Sequence, residues 1–261
     1  MALSATARPI EGAVATQGVS DRMTFLRKTY AHLGVALIAF AAITAGMLQY
    51  ATQTSLKFSS WAFTGRWNWM MVLILFMVVG WVAQKLAMSQ SSRGLQYAGL
   101  GLAVVAESVL LQPMLWILMI RFGGSGMMEQ DLNGHIAPHL SGQAGSILGQ
   151  AVVITLAIFI GLTLTVFLTK KDFTFMTGIL TICSFAIIGV IFASILFGFH
   201  LGAIFSGLVI LLMAGYILQQ TSLVMNYFPP TGYVAASLML FSTIATLFWY
   251  VLRLLMEMNR R

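Results

Sequence analysis

The sequence predicts an all-α membrane protein, a bundle of seven transmembrane helices. Three observations carry that prediction. Of 261 residues, 59% are hydrophobic and only 8% charged, against roughly 25% charged in ordinary soluble domains. Seven apolar runs reach the ~20 residues that a helix rising 1.5 Å per residue needs to cross about 30 Å of hydrocarbon. The few charges sit at the ends of those runs, so the net charge of +7 points to anionic lipid and the cytoplasmic surface, not to nucleic acid.

Residues 1–28 form a polar N-terminal segment carrying Arg8, Glu11, Asp21, Arg22, Arg27 and Lys28. It has no apolar core, so it is not a cleavable signal peptide and the first span must direct insertion. Residues 29–256 then make one transmembrane domain, with spans near Tyr30 to Tyr50, Trp67 to Met88, Gly94 to Ile120, Ile147 to Leu168, Thr174 to Phe199, Leu201 to Val224 and Gly232 to Leu255. Spans five and six are almost continuous; Gly198 and Gly202, in GFHLG, mark a turn between them. Asn226 to Gly232, NYFPPTG, separates spans six and seven, because Pro230 cannot continue a helix interior. Tyr50, Trp61, Trp67, Trp69, Trp249 and Tyr250 fall near span ends and read as interfacial anchors. Cys183, the single cysteine, lies within an apolar run and reads as a small core residue.

With the N terminus inside, the loops on that side collect eight Lys and Arg against six opposite. The positive-inside rule therefore predicts a cytoplasmic N terminus. The sizeable loop at 121–146 holds Glu129, Asp131, His135 and His139. Pro138 between the histidines argues against a helix aiming both rings at one ion, so a solvated polar loop is expected and no metal.

Nucleophile elbow, P-loop, Rossmann glycine pattern and zinc spacing are all absent from the sequence, so a non-enzymatic protein without cofactors is expected. The sharpest residue is Glu107, 14 residues after Arg93 and 14 before Arg121, hence about 20 Å from either end of its helix. A charged carboxylate at that depth is costly, so it must be neutral, paired or wet. Two readings stand: a proton-titratable gate or ion ligand, and a neutral acid hydrogen-bonded to a neighbouring helix. Ser108, Gln112 and Pro113 follow on the same span, and Pro113 predicts a kink. His32 reads as an interfacial ring, and His200 as a pH sensor only through its ordinary titration range.

Span six ends in Gln219, Gln220, Thr221 and Ser222, and the short loop after it makes spans six and seven antiparallel neighbours with a polar seam. On span seven, helical spacing places Ala235, Met239, Ser242, Thr246, Trp249 and Arg253 in one stripe. A stripe holding Ser242, Thr246 and Arg253 should not face lipid, which predicts packing inside the bundle, with Leu240, Ile244 and Leu247 as apolar contacts.

The run QAVVITLAIFIGLTLTVFLTKKDFTFM resembles the fourth-span signature of the transmembrane Bax inhibitor motif family, through Ala151, Thr155, Phe159, Leu162, Thr163, Thr169, Lys170, Asp172 and Phe173. Arg27 to Tyr30, Pro113, GYIL at 215–218 and LFWYVLRLL closing span seven extend the likeness across about Arg27 to Leu255. The resemblance implies a bundle whose last helix is central, surrounded by the other six. It implies a role in ion homeostasis, chiefly a pH-sensitive calcium leak, and in bacteria the regulation of a membrane-anchored AAA protease. In the leak two aspartates share protons; their positions fall on Gln220 and Thr243, and a basic partner falls approximately on Lys85. Gln and Thr do not titrate near neutral pH. Two functions follow: an accessory partner of another complex in a bacterial plasma membrane, or a calcium or proton leak that uses Glu107.

Overall fold

The computed structural model describes residues 13–16, 18–89, 92–124, 128–130, 136–138, 140 and 142–259. Among the described residues, seven helices have the length and apolarity to cross a membrane, and their bounds lie close to the predicted runs. They are α1 (Val19–Tyr50), α3 (Arg66–Ala87), α4 (Arg93–Phe122), α5 (Gly142–Thr169), α6 (Thr177–Phe197), α7 (Ala203–Asn226) and α8 (Tyr233–Met258), with a shorter α2 (Thr52–Thr64) after α1. The largest departure is at the start, where α1 extends back to Val19 and carries Asp21, Arg22, Arg27 and Lys28 on its first turns. Ahead of it, Ala13 and Val14 are buried, and the Val14 amide donates to the Phe228 carbonyl at 2.9 Å. Residues 13–16 are thus docked on the α7–α8 connection.

Helix α8 is the axis. Nearly its whole length is buried, and it packs against α1, α3, α4, α5 and α7. Leu240, Ile244 and Leu247 are buried as predicted. It is not ringed by all six other spans. Helix α6 lies outside, packed on α7 and α3, with most of its side chains exposed. Cys183 is on that outer helix and is exposed rather than a core residue. The physical reason is that lipid is as apolar as a core, so hydropathy alone does not say which of the two a side chain meets.

Helix α4 continues as one α-helix through Pro113. Its polar residues at i, i+4 and i+8 explain its embedding. Gln112 Nε2 donates to the Ser108 and Thr44 carbonyls at 3.2 and 3.3 Å, Ser55 Oγ donates to Gln112 Oε1 at 2.7 Å, and Trp116 Nε1 donates to Ser55 Oγ at 2.8 Å. This buried network fastens α2 to α4 and gives a short, polar helix its place. Where α4 crosses α3, Gly99 permits the approach: a Cβ there would stand 2.5 Å from the Ala83 carbonyl oxygen.

The predicted 198–202 turn is present, with Gly198 in the left-handed region at φ 77°, which glycine adopts without steric cost. The loop at 121–146 includes a short antiparallel pair, β1 (Met128–Gln130) with β2 (Ile136–Pro138). His135, His139 and Asp131 lie outside the described residues.

Candidate functional site

Two arrangements emerge from the polar residues. The first is the α7–α8 seam. Thr243 Oγ1 donates to Gln220 Oε1 at 2.9 Å, with Gln220 8% and Thr243 6% exposed. The two positions singled out on separate spans are therefore direct partners, and the contact is neutral. Gln219 instead crosses to α6, donating to Thr177 Oγ1 at 3.0 Å. Lys85 is remote in character: it is exposed, with Nζ 5.5 Å from the centre of the Trp81 ring.

The second is a cavity of about 520 Å³ between α3, α4, α6, α7 and α8. Glu107 lines it. Glu107 is 9% exposed and, among the described residues, its carboxyl has no hydrogen bond or ion pair. The α8 stripe turns toward this space: Thr246, Trp249, Tyr250 and Arg253 line it, while Thr246 Oγ1 satisfies itself on the Ser242 carbonyl. Met239, Ser242 and Thr246 are only half-buried, so the stripe is the least covered face of an otherwise buried helix. Trp69 lines the cavity as well, beside Trp249 and Tyr250, whereas Tyr50, Trp61 and Trp67 are exposed. At the mouth, Arg253 donates to the Leu201 carbonyl and pairs with Glu257 at 3.4 Å, and His200 joins the lining. A second cavity of about 230 Å³ shares Trp69, Trp249 and Arg253 and reaches Arg121 and Glu257. His32 stays at the opposite end, bonded to the Lys28 carbonyl and to Tyr97.

The stretch that resembled a family signature has a clear physical job. Ala151, Thr155, Phe159 and Thr163 recur every four residues and are all buried on one face of α5, which packs on α7 and α8. The turn that follows is clasped to α7: the Phe173 amide donates to Ser222 Oγ at 3.1 Å, and Tyr227 donates to Asp172 Oδ2 at 2.9 Å. Burial first, then the Asp172 carboxylate, holds the Tyr227 phenol above its usual range.

The family described as Inhibitor of apoptosis-promoting Bax1 matches over residues 133–261. Protein lifeguard 4 of Mus musculus is 29% identical over 117 residues, 43% of this chain and 48% of that protein. The chain belongs to the Bax inhibitor family. An uncharacterised protein of Pseudomonas aeruginosa is 30% identical over 151 residues, 56% of this chain and 67% of that one, which adds a bacterial homologue. The Bax inhibitor match takes in α5 to α8, hence the signature face, the clasped turn and the seam. Glu107 and the walls from α3 and α4 precede residue 133. The cavity itself was not legible from sequence; the signal that could have suggested it is the i, i+3, i+7 stripe of Thr246, Trp249 and Arg253, too polar for lipid and too bulky for a tight helix contact.

Proposed function

We propose that this Bax inhibitor family protein is a non-enzymatic regulatory protein of a bacterial plasma membrane, N terminus cytoplasmic, that acts by binding another membrane complex. A membrane-anchored AAA protease is the partner class that the family resemblance suggests. The observation that supports this reading is the Gln220–Thr243 hydrogen bond. Neither side chain titrates near neutral pH, and together they offer a divalent cation no carboxylate. A seam of this kind has no proton-driven switch. The exposed apolar faces, above all that of α6, supply surface for a partner.

A specific observation favours a second reading. Glu107 lines a cavity and has no partner among the described residues, as a titratable group in a pH-sensitive calcium or proton leak would. Purified protein in liposomes loaded with calcium and pH indicators separates the two. The regulatory reading expects flux equal to that of protein-free liposomes, together with stoichiometric co-purification of a partner identified by mass spectrometry. A pH-dependent flux abolished by Glu107→Gln overturns it in favour of the leak.

A further inference from the structure

The cavity around Glu107 has a chemistry that neither reading uses. Its volume of about 520 Å³ falls within the roughly 300–1,000 Å³ of small-molecule sites. Its walls are largely isoleucine, leucine and methionine, with the rings of Trp69, Phe76, Phe192, Trp249 and Tyr250 among them. Ligand sites of this type are apolar chambers with a few polar groups that fix orientation. Here the acidic group is Glu107, more than nine-tenths buried and without a protein partner among the described residues.

We infer that this cavity is a binding site for a hydrophobic organic cation, with Glu107 as its counter-ion. An inorganic divalent ion is a poor fit. Calcium takes 6–8 oxygen ligands, and the described residues hold no group of three or more His, Cys, Asp or Glu that could surround a metal. Beside Glu107 the cavity offers only neutral hydroxyls, those of Ser184, Ser194, Thr246 and Tyr250, as further side-chain oxygens. A lipophilic ammonium or phosphonium needs no such shell. It loses little hydration on entering hydrocarbon walls, meets the negative faces of aromatic rings, and leaves the carboxylate paired instead of bare. Arg253 does not cancel this charge, because its guanidinium is held by Glu257 and the Leu201 carbonyl at the mouth, seven residues along α8 from Thr246. Its role is to hold the turn that borders the entrance. The inference does not depend on whether the chain conducts ions or regulates a partner.

The test uses purified full-length protein in nanodiscs, titrated with tetraphenylphosphonium, a hydrophobic cation with no hydrogen-bonding group. Binding is read by equilibrium dialysis and by quenching of tryptophan fluorescence. The expected result is saturable, stoichiometric binding that Glu107→Gln weakens by on the order of thirtyfold or more, the usual loss when a buried ionic contact is removed. Glu107→Asp retains binding, and Lys85→Gln leaves it unchanged. Ile188→Trp, which fills the cavity from α6 and leaves the carboxyl in place, also removes binding, so the outcome does not hang on one variant. Tetraphenylborate, the same shape with opposite charge, binds far more weakly. Absence of saturable binding, indifference to Glu107→Gln, or equal affinity for tetraphenylborate overturns the inference.

Discussion

Thr243→Val isolates the seam contact, because valine keeps the volume and β-branching of threonine and removes only the hydroxyl. That hydroxyl is shared between Gln220 Oε1 at 2.9 Å and the Met239 carbonyl at 3.2 Å. The carbonyl remains in its own helix ladder, so the loss falls on the glutamine, whose buried acceptor is left without its partner. Stranding a buried acceptor costs about 1–3 kcal/mol in soluble proteins. Interhelical hydrogen bonds in membranes average nearer 0.6 kcal/mol, with about 1.7 as the upper end, because the unfolded chain in lipid finds partners too. We therefore expect Thr243→Val to destabilise by about 1 kcal/mol. Gln220→Leu with Thr243→Val removes both halves, and the double variant should lie above the sum of the singles by a coupling of about 0.6–1.7 kcal/mol. Reversible unfolding by SDS in mixed micelles, followed by helical ellipticity, measures all four corners of the cycle. Strict additivity would refute the seam as a direct contact, and a stabilised Thr243→Val would refute its being satisfied.

Three further outcomes are expected. Ser55→Ala strands Gln112 Oε1 and Trp116 Nε1, both bonded to the lost hydroxyl, and should cost about 1–3 kcal/mol by the same unfolding assay; exposed Ser60→Ala should stay within about 0.5 kcal/mol. Gly99→Val drives a side chain into the Ala83 carbonyl oxygen and the Ala87 nitrogen, 2.5 and 2.7 Å from the Cβ position, and should sharply lower the monodisperse fraction in size-exclusion chromatography. The raised Tyr227 phenol gives stability that is complete below its unfolded value near 10 and is lost as pH rises through the higher folded value. Thermal unfolding between about pH 9 and 12 should show that loss, and Tyr227→Phe should remove it.

Much of this fold was legible in the sequence because lipid demands long apolar runs, and their ends show where charges, proline and glycine collect. The seven spans and the 198–202 turn follow from that, and the short NYFPPTG break was enough to make α7 and α8 neighbours. What hydropathy does not carry is the distinction between lipid and core. Helix α6 is apolar on every side, so nothing in its periodicity set Cys183 outside or made α6 the peripheral span. Helix α2 was missed for the opposite reason: its 13 residues are too few and too polar to read as a span, and its anchor, Gln112, lies 57 residues away from Ser55. The α8 stripe borders a cavity and not the close helix contact expected of it, and only the placement of α3 and α6 opens that space.

The outer helix is tied at both ends, and along its length Ser184 bonds Tyr216 of α7 at 2.8 Å. At one end Arg66 donates to the Leu196 carbonyl at 3.2 Å and Arg253 to that of Leu201; at the other Asp172 receives Tyr227. Such a helix resembles a barrel stave, seated at its ends with most of one side turned outward. Residues 184–195 at that middle are the same ones that wall the space beside Glu107, so the sideways squeeze of the surrounding acyl chains bears directly on how much room that carboxyl has.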